Sequence, residues 1–198
     1  MSNASEPSND RVVSFDDEPL ILVDADDNVL GHDSKAACHD GEGMLHRAFS
    51  IFLFNGAGQV LLQRRSEQKR LWPLYWSNSC CSHPRRGEGD LEAAERRIHE
   101  ELAVSPPLTF LFRFEYHARY QQVGAEHELC STYAALSDER IAVNTNEIAD
   151  WEFVTPEELD RRLDAEPQRC TPWLKLEWPR IRSDHWKAVE ALRGKKAR

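Results

Sequence analysis

The chain has 198 residues, of which 40% are hydrophobic and 30% are charged, and this composition fits one globular domain with a hydrophobic core. Its net charge of −9 argues against a general nucleic-acid binder, so an anionic partner should be a small molecule that meets a local group of basic side chains. No apolar run approaches the ~20 residues of a membrane span, and the N-terminus is polar and acidic, so we expect a cytoplasmic protein without a membrane partner.

The predicted elements belong to a single domain over residues 16–192. Residues 1–15 are rich in Ser, Asn, Asp and Glu and predict a disordered leader, while residues 193–198 form a basic tail. Between them, strand hairpins alternate with a few helices, which predicts an α+β sandwich with a mixed sheet. The sequence leaves the oligomeric state open, with a monomer favoured.

The first half of the domain predicts strands followed by one long helix. PLILVDADDNVLG has the pattern of a strand and a tight turn, and HRAFSIFLFNGAGQVLLQRR that of two strands joined by the turn NGAG. GDLEAAERRIHEELAV predicts a helix with Asp90 as a candidate N-cap. The apolar face of this helix would contain Leu91, Ala94, Ile98 and Leu102.

The second half predicts three more strands and two helical regions. The strand patterns are TFLFRFEYHARY, EHELCSTYAAL and IADWEFV. TPEELDRRL then opens a helix with a capping box from Thr155 to Glu158 around Pro156. The last stretch, WLKLEWPRIRSDHWKAVEAL, predicts helix with a break at Pro179.

Five cysteines without regular spacing predict free thiols in a reducing compartment. Two are adjacent in WSNSCCSHP, where a disulfide would have to join Cα atoms about 3.8 Å apart, below the usual minimum of ~4.4 Å. In an extended segment, Cys81 and His83 face one side while Cys80 and Ser82 face the other. Three interpretations remain open: small buried hydrophobic residues, a zinc site that lacks a second Cys/His pair, or one cysteine in an active site.

Histidines and carboxylates elsewhere in the chain favour a metal site. His39 and His46 fall in ACHDGEGMLH, and Glu126 and Glu128 lie two apart in EHELC, which places both carboxylates on one face of a strand. With His83 they form a set suited to Mn²⁺, Mg²⁺ or Zn²⁺ and not to a redox cluster. Each residue alone also fits an ordinary solvated side chain, so the prediction depends on their coincidence.

Basic residues on both sides of the hairpin predict a second site, for an anion. Lys35 precedes the hairpin, and Arg65 and Lys69 follow it in QRRSEQKRLW. A diphosphate would need such a cluster in an acidic protein. A solvated run of charges is the alternative interpretation.

The long predicted helix carries an imperfect copy of a known pattern. Five residues separate Ser82 from Glu88, seven separate Glu88 from Arg96, and RRIHEELAV follows. This spacing resembles the Nudix box, G-x5-E-x7-R-E-U-x-E-E-x-G-U with U aliphatic, whose helix carboxylates hold Mg²⁺ on a diphosphate. Ser82 and Ala103 stand where that box has glycines, and Arg97 stands where it has a glutamate.

The chain as a whole, from about Ile21 to the final helix, resembles one family of the Nudix fold, the type I isopentenyl diphosphate isomerases. The matching segments occur in the family's order: KAACHDGEGMLHRAFSIFLFN, LLQRRSEQKRLWPLYWSNSCCSHP, RRIHEELAV, FEYHARY, EHELCSTY and TPW. The resemblance implies a Nudix-like α/β/α sandwich with a mixed β-sheet and flanking helices. It also implies the reversible conversion of isopentenyl diphosphate into dimethylallyl diphosphate in isoprenoid biosynthesis.

The resemblance assigns roles residue by residue. Cys81 matches the catalytic thiol, Glu128 its carboxylate counterpart, Tyr116 a helper beside them, and Trp173 an aromatic wall. The first metal site, for Mn²⁺, Zn²⁺ or Mg²⁺, is matched by His39, His46, His83, Glu126 and Glu128. A Mg²⁺ ion on the diphosphate is matched by Glu101. The substrate contacts are matched by Lys35, Arg65, Lys69 and Ser82, with Arg97 as an addition.

Two other functions compete with this interpretation. A Nudix pyrophosphohydrolase would need a glutamate at Arg97 and has no use for Cys81. A metal-stabilised binding module without catalysis would melt at a metal-dependent temperature but would turn over no substrate.

Overall fold

The computed structural model describes residues 10–195, in which nine strands form one mixed sheet. The central strand, β3, pairs in parallel with β8 along its whole length and pairs antiparallel with β6 on the other edge. The strands are β1 Pro19–Val23, β2 Val29–Ser34, β3 His46–Phe54, β4 Val60–Arg65, β5 Trp76–Ser77, β6 Cys80–Ser82, β7 Thr109–Tyr120, β8 Gly124–Leu136 and β9 Ile148–Val154.

Helices cover both faces of the sheet. They are α1 Lys35–Cys38, α2 Asp90–Leu102, α3 Pro156–Ala165, α4 Pro172–Arg180 and α5 Trp186–Lys195. A short 3₁₀ turn, Pro167–Arg169, precedes α4, and a π-helical segment, Ile181–His185, joins α4 to α5. In residues 10–195, no helix combines the length and the apolar composition that crossing a membrane requires.

The alternation of side chains along β3 divides the core into two layers. Phe49 and Ile51 pack with Ala94 and Ile98 of α2, whereas Phe52 packs on the opposite side with residues of α4 and α5. Successive side chains of a strand point to opposite faces, so a strand covered on both sides is apolar almost throughout. The predicted α/β/α sandwich with a mixed sheet is confirmed.

The long helix forms where the sequence predicts it, with two differences at its start. Gly89, and not Asp90, takes the extended backbone of an N-cap, because the Asp90 carboxylate accepts hydrogen bonds from Arg113 and Ser131, each at 2.7 Å. Leu91 is 46% exposed, whereas Ala94, Ile98 and Leu102 are buried as predicted. The apolar face of α2 therefore begins one turn later than the pattern indicates.

The ends of α2 and α3 show how local sequence sets helix boundaries. Ala103 ends α2 with a φ of 57°, a left-handed conformation that glycine adopts more easily, and the Nudix pattern has glycine there. At α3, the Thr155 hydroxyl accepts a hydrogen bond from the Glu158 backbone N–H at 3.2 Å, and Pro156 occupies the first turn. The predicted helix start at Thr155 is confirmed.

The predicted helix break at Pro179 does not occur, and Pro179 lies inside α4. Proline lacks the N–H that the helical ladder needs, and the chain meets this with a π-helical segment at residues 181–185 before α5 continues. Residues 193–195, predicted as part of a basic tail, belong to α5. Residues 196–198 lie outside the described part.

The N-terminal segment is folded against the domain from residue 10 onward, which differs from the predicted leader of residues 1–15. Asn144 donates a side-chain hydrogen bond to Arg11 O at 2.7 Å, and Arg97 donates one to Val13 O at 2.8 Å. These donors are buried, so the backbone carbonyls of the segment satisfy them. Residues 1–9 of the predicted leader lie outside the described residues.

Candidate active site

One cavity collects most of the predicted site residues. It lies on the side of β3 that faces α4, and its wall combines strands, loops and the start of α4. The predicted residues that line it are Lys35, His39, Arg65, Lys69, Cys81, Ser82, His83, Tyr116, Glu126, Glu128 and Trp173. The fold thus gathers side chains that lie up to 138 positions apart in the sequence, from Lys35 to Trp173 (173 − 35).

The two adjacent cysteines point to opposite faces of β6. Cys80 is 0% exposed and packs in the core under α2, whereas Cys81 lines the cavity together with His83. An Arg65 guanidinium nitrogen lies 3.8 Å from the Cys81 sulfur. Burial raises the pKa of the Cys81 thiol to about 12, although Arg65 lowers it in part, so this thiol carries its proton at neutral pH. The predicted alternation is confirmed for the two cysteines, whereas Ser82, predicted on the face of Cys80, also lines the cavity. No disulfide joins the pair.

Three imidazoles and two carboxylates form a buried cluster beside the thiol. One ligand atom from each of five residues lies within 4.8 Å of every other, and the five are His39, His46, His83, Glu126 and Glu128. Strand register explains part of this convergence, because His46 on β3 lies directly beside Glu128 on β8. The predicted convergence of these residues is confirmed.

A glycine at position 124 allows His39, which follows α1, to approach β8. Gly124 begins β8, and a side chain there would collide with the His39 carbonyl oxygen. That same carbonyl accepts a hydrogen bond from Ala125 N at 3.1 Å, which fixes the loop of His39 against β8. His39 is therefore held by backbone contacts beside Glu126, whose carboxylate lies 2.7 Å from His39 Nε2.

Hydrogen bonds to the backbone orient two of the imidazoles for metal binding. His39 Nδ1 lies 2.6 Å from Lys35 O, and His46 Nδ1 lies 2.7 Å from Met44 O. A carbonyl oxygen can only accept, so Nδ1 carries a proton in both rings and Nε2 is the nitrogen that faces the cluster. Among residues 10–195, His46 Nε2 has no hydrogen-bond partner although it is fully buried. The donor set therefore fits a divalent cation of the hard to borderline type.

The electrostatics of the cluster keep two imidazoles neutral, the form that binds a metal. Burial lowers the pKa of His46 to about 4, and it holds the pKa of His83 well below its usual range. For His39 burial acts in the same direction, but the Glu126 carboxylate outweighs it and raises the pKa. His39 and Glu126 thus form an ion pair in the metal-free protein.

The two carboxyl groups of the cluster have pKa values that are pushed apart. Burial raises the pKa of Glu126, but the charge of His39 outweighs this and lowers it to about 2. Burial and the neighbouring Glu126 charge raise the pKa of Glu128 well above its usual range. The two carboxyl groups thus differ in proton affinity, which is the pattern of groups with different proton-transfer roles.

Tyr116 and Trp173 both lie at the walls of the cavity. The Tyr116 hydroxyl donates a hydrogen bond to Glu128 Oε2 at 2.6 Å, from the register position opposite Glu128 on β7. The Trp173 indole N–H donates to Ser77 Oγ at 2.9 Å and to Asn78 Oδ1 at 3.0 Å, which fixes the ring. Tyr116 therefore contacts the Glu128 carboxyl group, and Trp173 lines the cavity, while the roles of both residues stay predictions.

Arg97 does not lie in the wall of the cavity, although the resemblance adds it to the substrate contacts. Its side chain is 2% exposed and donates hydrogen bonds to Glu101 Oε1 at 2.5 Å and to Val13 O at 2.8 Å. A guanidinium with these partners is committed to the protein interior, so its position does not favour direct contact with substrate. Glu101, predicted to bind a Mg²⁺ ion on the diphosphate, is buried with it and does not line the cavity either.

Several residues of the cavity wall were not among the predicted site residues. Ser50 is a polar residue inside the apolar strand HRAFSIFLF, and that exception was a usable signal for a cavity wall. Glu147 lies in a turn before β9 and contacts Lys69, which no local pattern indicates. Val12 and Ser14 reach the cavity from the N-terminal segment, whose composition predicts disorder.

Replacing a buried imidazole of the cluster is expected to abolish metal binding. His46→Ala removes a ligand whose Nε2 faces the cluster, and His99→Ala removes an exposed histidine of α2 as the matched control. Metal content of the purified proteins, measured by atomic emission, should fall at least about tenfold for His46→Ala and stay unchanged for His99→Ala. A full metal complement in His46→Ala would contradict the proposed ligand set.

Comparisons with known proteins agree with this fold and site. The sequence model of the NUDIX domain matches residues 44–174. A solved protein of Deinococcus radiodurans is 28% identical and aligns with a TM-score of 0.67 over 82% of this chain and 98% of its own. The MutT protein of Methanosarcina mazei Go1, at 15% identity and a TM-score of 0.60 over 71% of this chain and 95% of its own, supports the fold alone. The fold and site therefore define a Nudix protein.

Curated relatives narrow the class further. Isopentenyl-diphosphate Delta-isomerase 1 of Photorhabdus laumondii subsp. laumondii is 39% identical over 85% of this chain and 97% of its own length. The isopentenyl-diphosphate Delta-isomerase of Escherichia coli O127:H6 is 36% identical over 81% of this chain and 89% of its own. The chain belongs to the isopentenyl-diphosphate Delta-isomerase family, which confirms the resemblance stated from its motifs.

Proposed function

We propose that the cavity interconverts isopentenyl diphosphate and dimethylallyl diphosphate, with Cys81 and Glu128 as the two groups that exchange protons with substrate carbon. The observation that carries the proposal is the meeting of the Cys81 thiol and the Glu128 carboxyl group at one cavity that basic residues also line. Neither group is needed to cleave a diphosphate, whereas a thiol and a carboxylate together suit proton transfer to and from carbon, one as the acid and the other as the base.

The reaction moves one double bond and leaves the diphosphate intact. A proton added to the terminal carbon of the alkene gives a tertiary carbocation, and loss of a proton from the neighbouring CH₂ gives the internal double bond. One enzyme group loses a proton and the other gains one, so the substrate is unchanged in composition. An isolated alkene is a weak base, which is why a positioned acid and a positioned base are both needed.

The placement of Cys81 and Glu128 supports their action from two sides of the substrate. Cys81 lies on β6 and Glu128 on β8, the two strands that flank β3. Tyr116 donates to one Glu128 oxygen, and His83 Nε2 lies 2.9 Å from the other, so the carboxyl group is fixed in orientation. Both groups line the same cavity, where a five-carbon chain would lie between them.

Trp173 supports the carbocation in this proposal. Its ring is fixed by hydrogen bonds at the indole N–H, and the Arg65 guanidinium lies 5.1 Å from the ring centroid. The negative face of an indole attracts a cation without adding to it as a nucleophile would. The aromatic wall therefore stabilises the charge and leaves the proton as the only group that departs.

Two metal sites belong to the proposal. His39, His46, His83, Glu126 and Glu128 would hold Mn²⁺, Zn²⁺ or Mg²⁺. The Mg²⁺ ion on the diphosphate that the resemblance assigns to Glu101 stays a prediction, since Glu101 Oε1 is bonded to Arg97 and Glu101 does not line the cavity. When bound, the first cation supplies a fixed positive charge that favours the carboxylate form of Glu128. Lys35, Arg65, Lys69 and Ser82 line the cavity and would contact the diphosphate, which anchors the substrate for reaction at its other end.

The proposal also includes the partner and the compartment. The substrate is a small diphosphate, and the five free cysteines suit the reducing cytoplasm. A monomer is the proposed oligomeric state.

Isomerisation and hydrolysis can be separated in one assay. The protein is incubated with isopentenyl diphosphate and Mg²⁺, with a chelator-treated sample as the control, and both dimethylallyl diphosphate and free phosphate are measured. We expect the isomer to form without phosphate release, and we expect the chelator to abolish its formation. Phosphate release without a double-bond shift would support a Nudix hydrolase, and neither product would support a binding module.

A further inference from the structure

Glu147 is a buried carboxylate beside Lys69 in the cavity wall, and the proposed reaction gives it no role. It is 3% exposed, and it lines the cavity beside Asn146. Its carboxylate pairs with Lys69 Nζ, and its Oε2 lies 3.2 Å from an Arg97 guanidinium nitrogen. Ser66 N donates to Glu147 O at 2.9 Å, so the loop of Lys69 is joined to the turn of Glu147 through the backbone as well.

The two cations beside Glu147 depend on it to different degrees. Arg97 also donates to Glu101 and to Val13 O, so it keeps its position without Glu147. Lys69 Nζ donates a hydrogen bond to the Glu147 carboxylate, and within residues 10–195 it has no other hydrogen-bond partner. Loss of the Glu147 charge would therefore release Lys69 and leave Arg97 in place.

We propose that Glu147 is a positioning residue for diphosphate binding, which holds the Lys69 ammonium at the cavity wall before the substrate arrives. The inference rests on the proposed function in one respect, namely that Lys69 contacts the diphosphate. A lysine side chain loses much conformational freedom when it is ordered at a binding site. If Glu147 orders Lys69 in the free protein, that loss is removed from the free energy of binding.

The negative charge of Glu147 also repels a diphosphate, so the balance of the two effects must be decided. The Lys69 side chain is 21% exposed and that of Glu147 is 4% exposed, so the ammonium is the more accessible of the two charges to a ligand in the cavity. An ammonium group has three donors and can keep Glu147 while it donates to a phosphate oxygen. Ordering of Lys69 therefore outweighs the repulsion, and Glu147 strengthens binding.

The test is binding of inorganic diphosphate with Mg²⁺, measured by titration calorimetry. Glu147→Gln keeps the shape of the side chain and removes its charge. The matched control is Glu152→Gln on β9, a carboxylate that binds Arg162 at 2.6 Å and does not line the cavity. We expect Glu147→Gln to weaken binding about tenfold, the effect of ordering one long side chain, and to raise KM for isopentenyl diphosphate with kcat within about threefold. Glu152→Gln should bind as the unmodified protein does.

A second background separates positioning from a general structural effect. In Lys69→Met, the side chain that Glu147 holds is gone, so adding Glu147→Gln should change diphosphate binding by less than about threefold. Unchanged binding in the single Glu147→Gln variant, or a tenfold loss that persists in the Lys69→Met background, would overturn the inference. If Glu147→Gln does not fold, Glu147→Asp takes its place, and its shorter carboxylate should show the same loss and the same dependence on Lys69.

The titration with diphosphate tests the role of Glu147 independently of isomerisation. If the unmodified protein binds diphosphate but forms no dimethylallyl diphosphate, the proposed function fails while the role of Glu147 is still decided by the titration. If isomerisation is normal and Glu147→Gln binds diphosphate as the unmodified protein does, the inference fails and the function stands.

Discussion

Cys81→Ala is expected to reduce isomerisation by about 10²- to 10⁴-fold, the usual cost of losing a positioned acid or base. Cys80→Ala is expected to keep most of the activity, although the two residues are neighbours. The reason is the alternation of β6, which directs Cys81 into the cavity and Cys80 into the core under α2. The measurement is the rate of dimethylallyl diphosphate formation at saturating isopentenyl diphosphate.

The control for this pair is stability, because the buried residue is the one expected to matter for folding. Cys80 packs against Ala94 and Ile98, so Cys80→Ala leaves a small void that costs stability on the order of 1 kcal/mol. Cys81 is only half-buried, and its removal should change the melting temperature less. Equal rates for the two variants would remove Cys81 from the proposed mechanism.

Local patterns in the sequence were sufficient for most of the fold and for part of the site. Strand alternation predicts which of Cys80 and Cys81 shares the face of His83, because a period of two is set by the backbone alone. The same period places Glu126 and Glu128 on one face of β8. These predictions hold because neither depends on how distant segments pack.

Residues whose role depends on distant contacts were not predictable in this way. Arg97 has the position of a diphosphate ligand in the resemblance, yet it binds Glu101 on its own helix, Val13 from the N-terminal segment and Glu147 from the turn before β9. No local pattern indicates that Val13, 84 positions earlier, supplies a carbonyl oxygen to that guanidinium. The predicted disorder of the N-terminal segment is wrong from residue 10 onward for the same reason, because composition does not show that Arg97 and Asn144 bind its backbone.

Helix boundaries were predicted less well than helix positions, and the causes are chemical. Asp90 has the side chain of an N-cap, but its carboxylate is engaged by Arg113 and Ser131 of the sheet, so Gly89 takes that position. Pro179 would end an isolated helix, but packing of Trp178 and Ile181 in one core favours continuation through a π-helical segment. Tertiary contacts thus override local preferences at both places.

Glu128→Gln is expected to lose isomerisation by about 10²- to 10⁴-fold while it still binds substrate. A glutamine has the shape of glutamate and can accept the hydrogen bond from Tyr116, but it neither gives up nor takes up a proton at neutral pH. Rates of isomer formation and equilibrium binding of isopentenyl diphosphate with Mg²⁺ are both measured, because the two are expected to separate. Glu115→Gln, which alters an exposed carboxylate paired with His127 on the neighbouring strands, is the matched control and should resemble the unmodified protein in both.

Glu128→Gln distinguishes a role of Glu128 in proton transfer from a role in substrate binding. The substitution leaves the basic residues of the cavity wall, Lys35, Arg65 and Lys69, unaltered, so affinity for the diphosphate should stay within about threefold. Metal content is measured on the same sample, since Glu128 is also one of five clustered donors and His39, His46, His83 and Glu126 remain. A variant that retains its metal and its substrate affinity but not its rate would identify Glu128 as a proton-transfer group. Turnover within about tenfold of the unmodified protein would assign that role to another residue, with Tyr116 the nearest candidate at 2.6 Å from Glu128 Oε2.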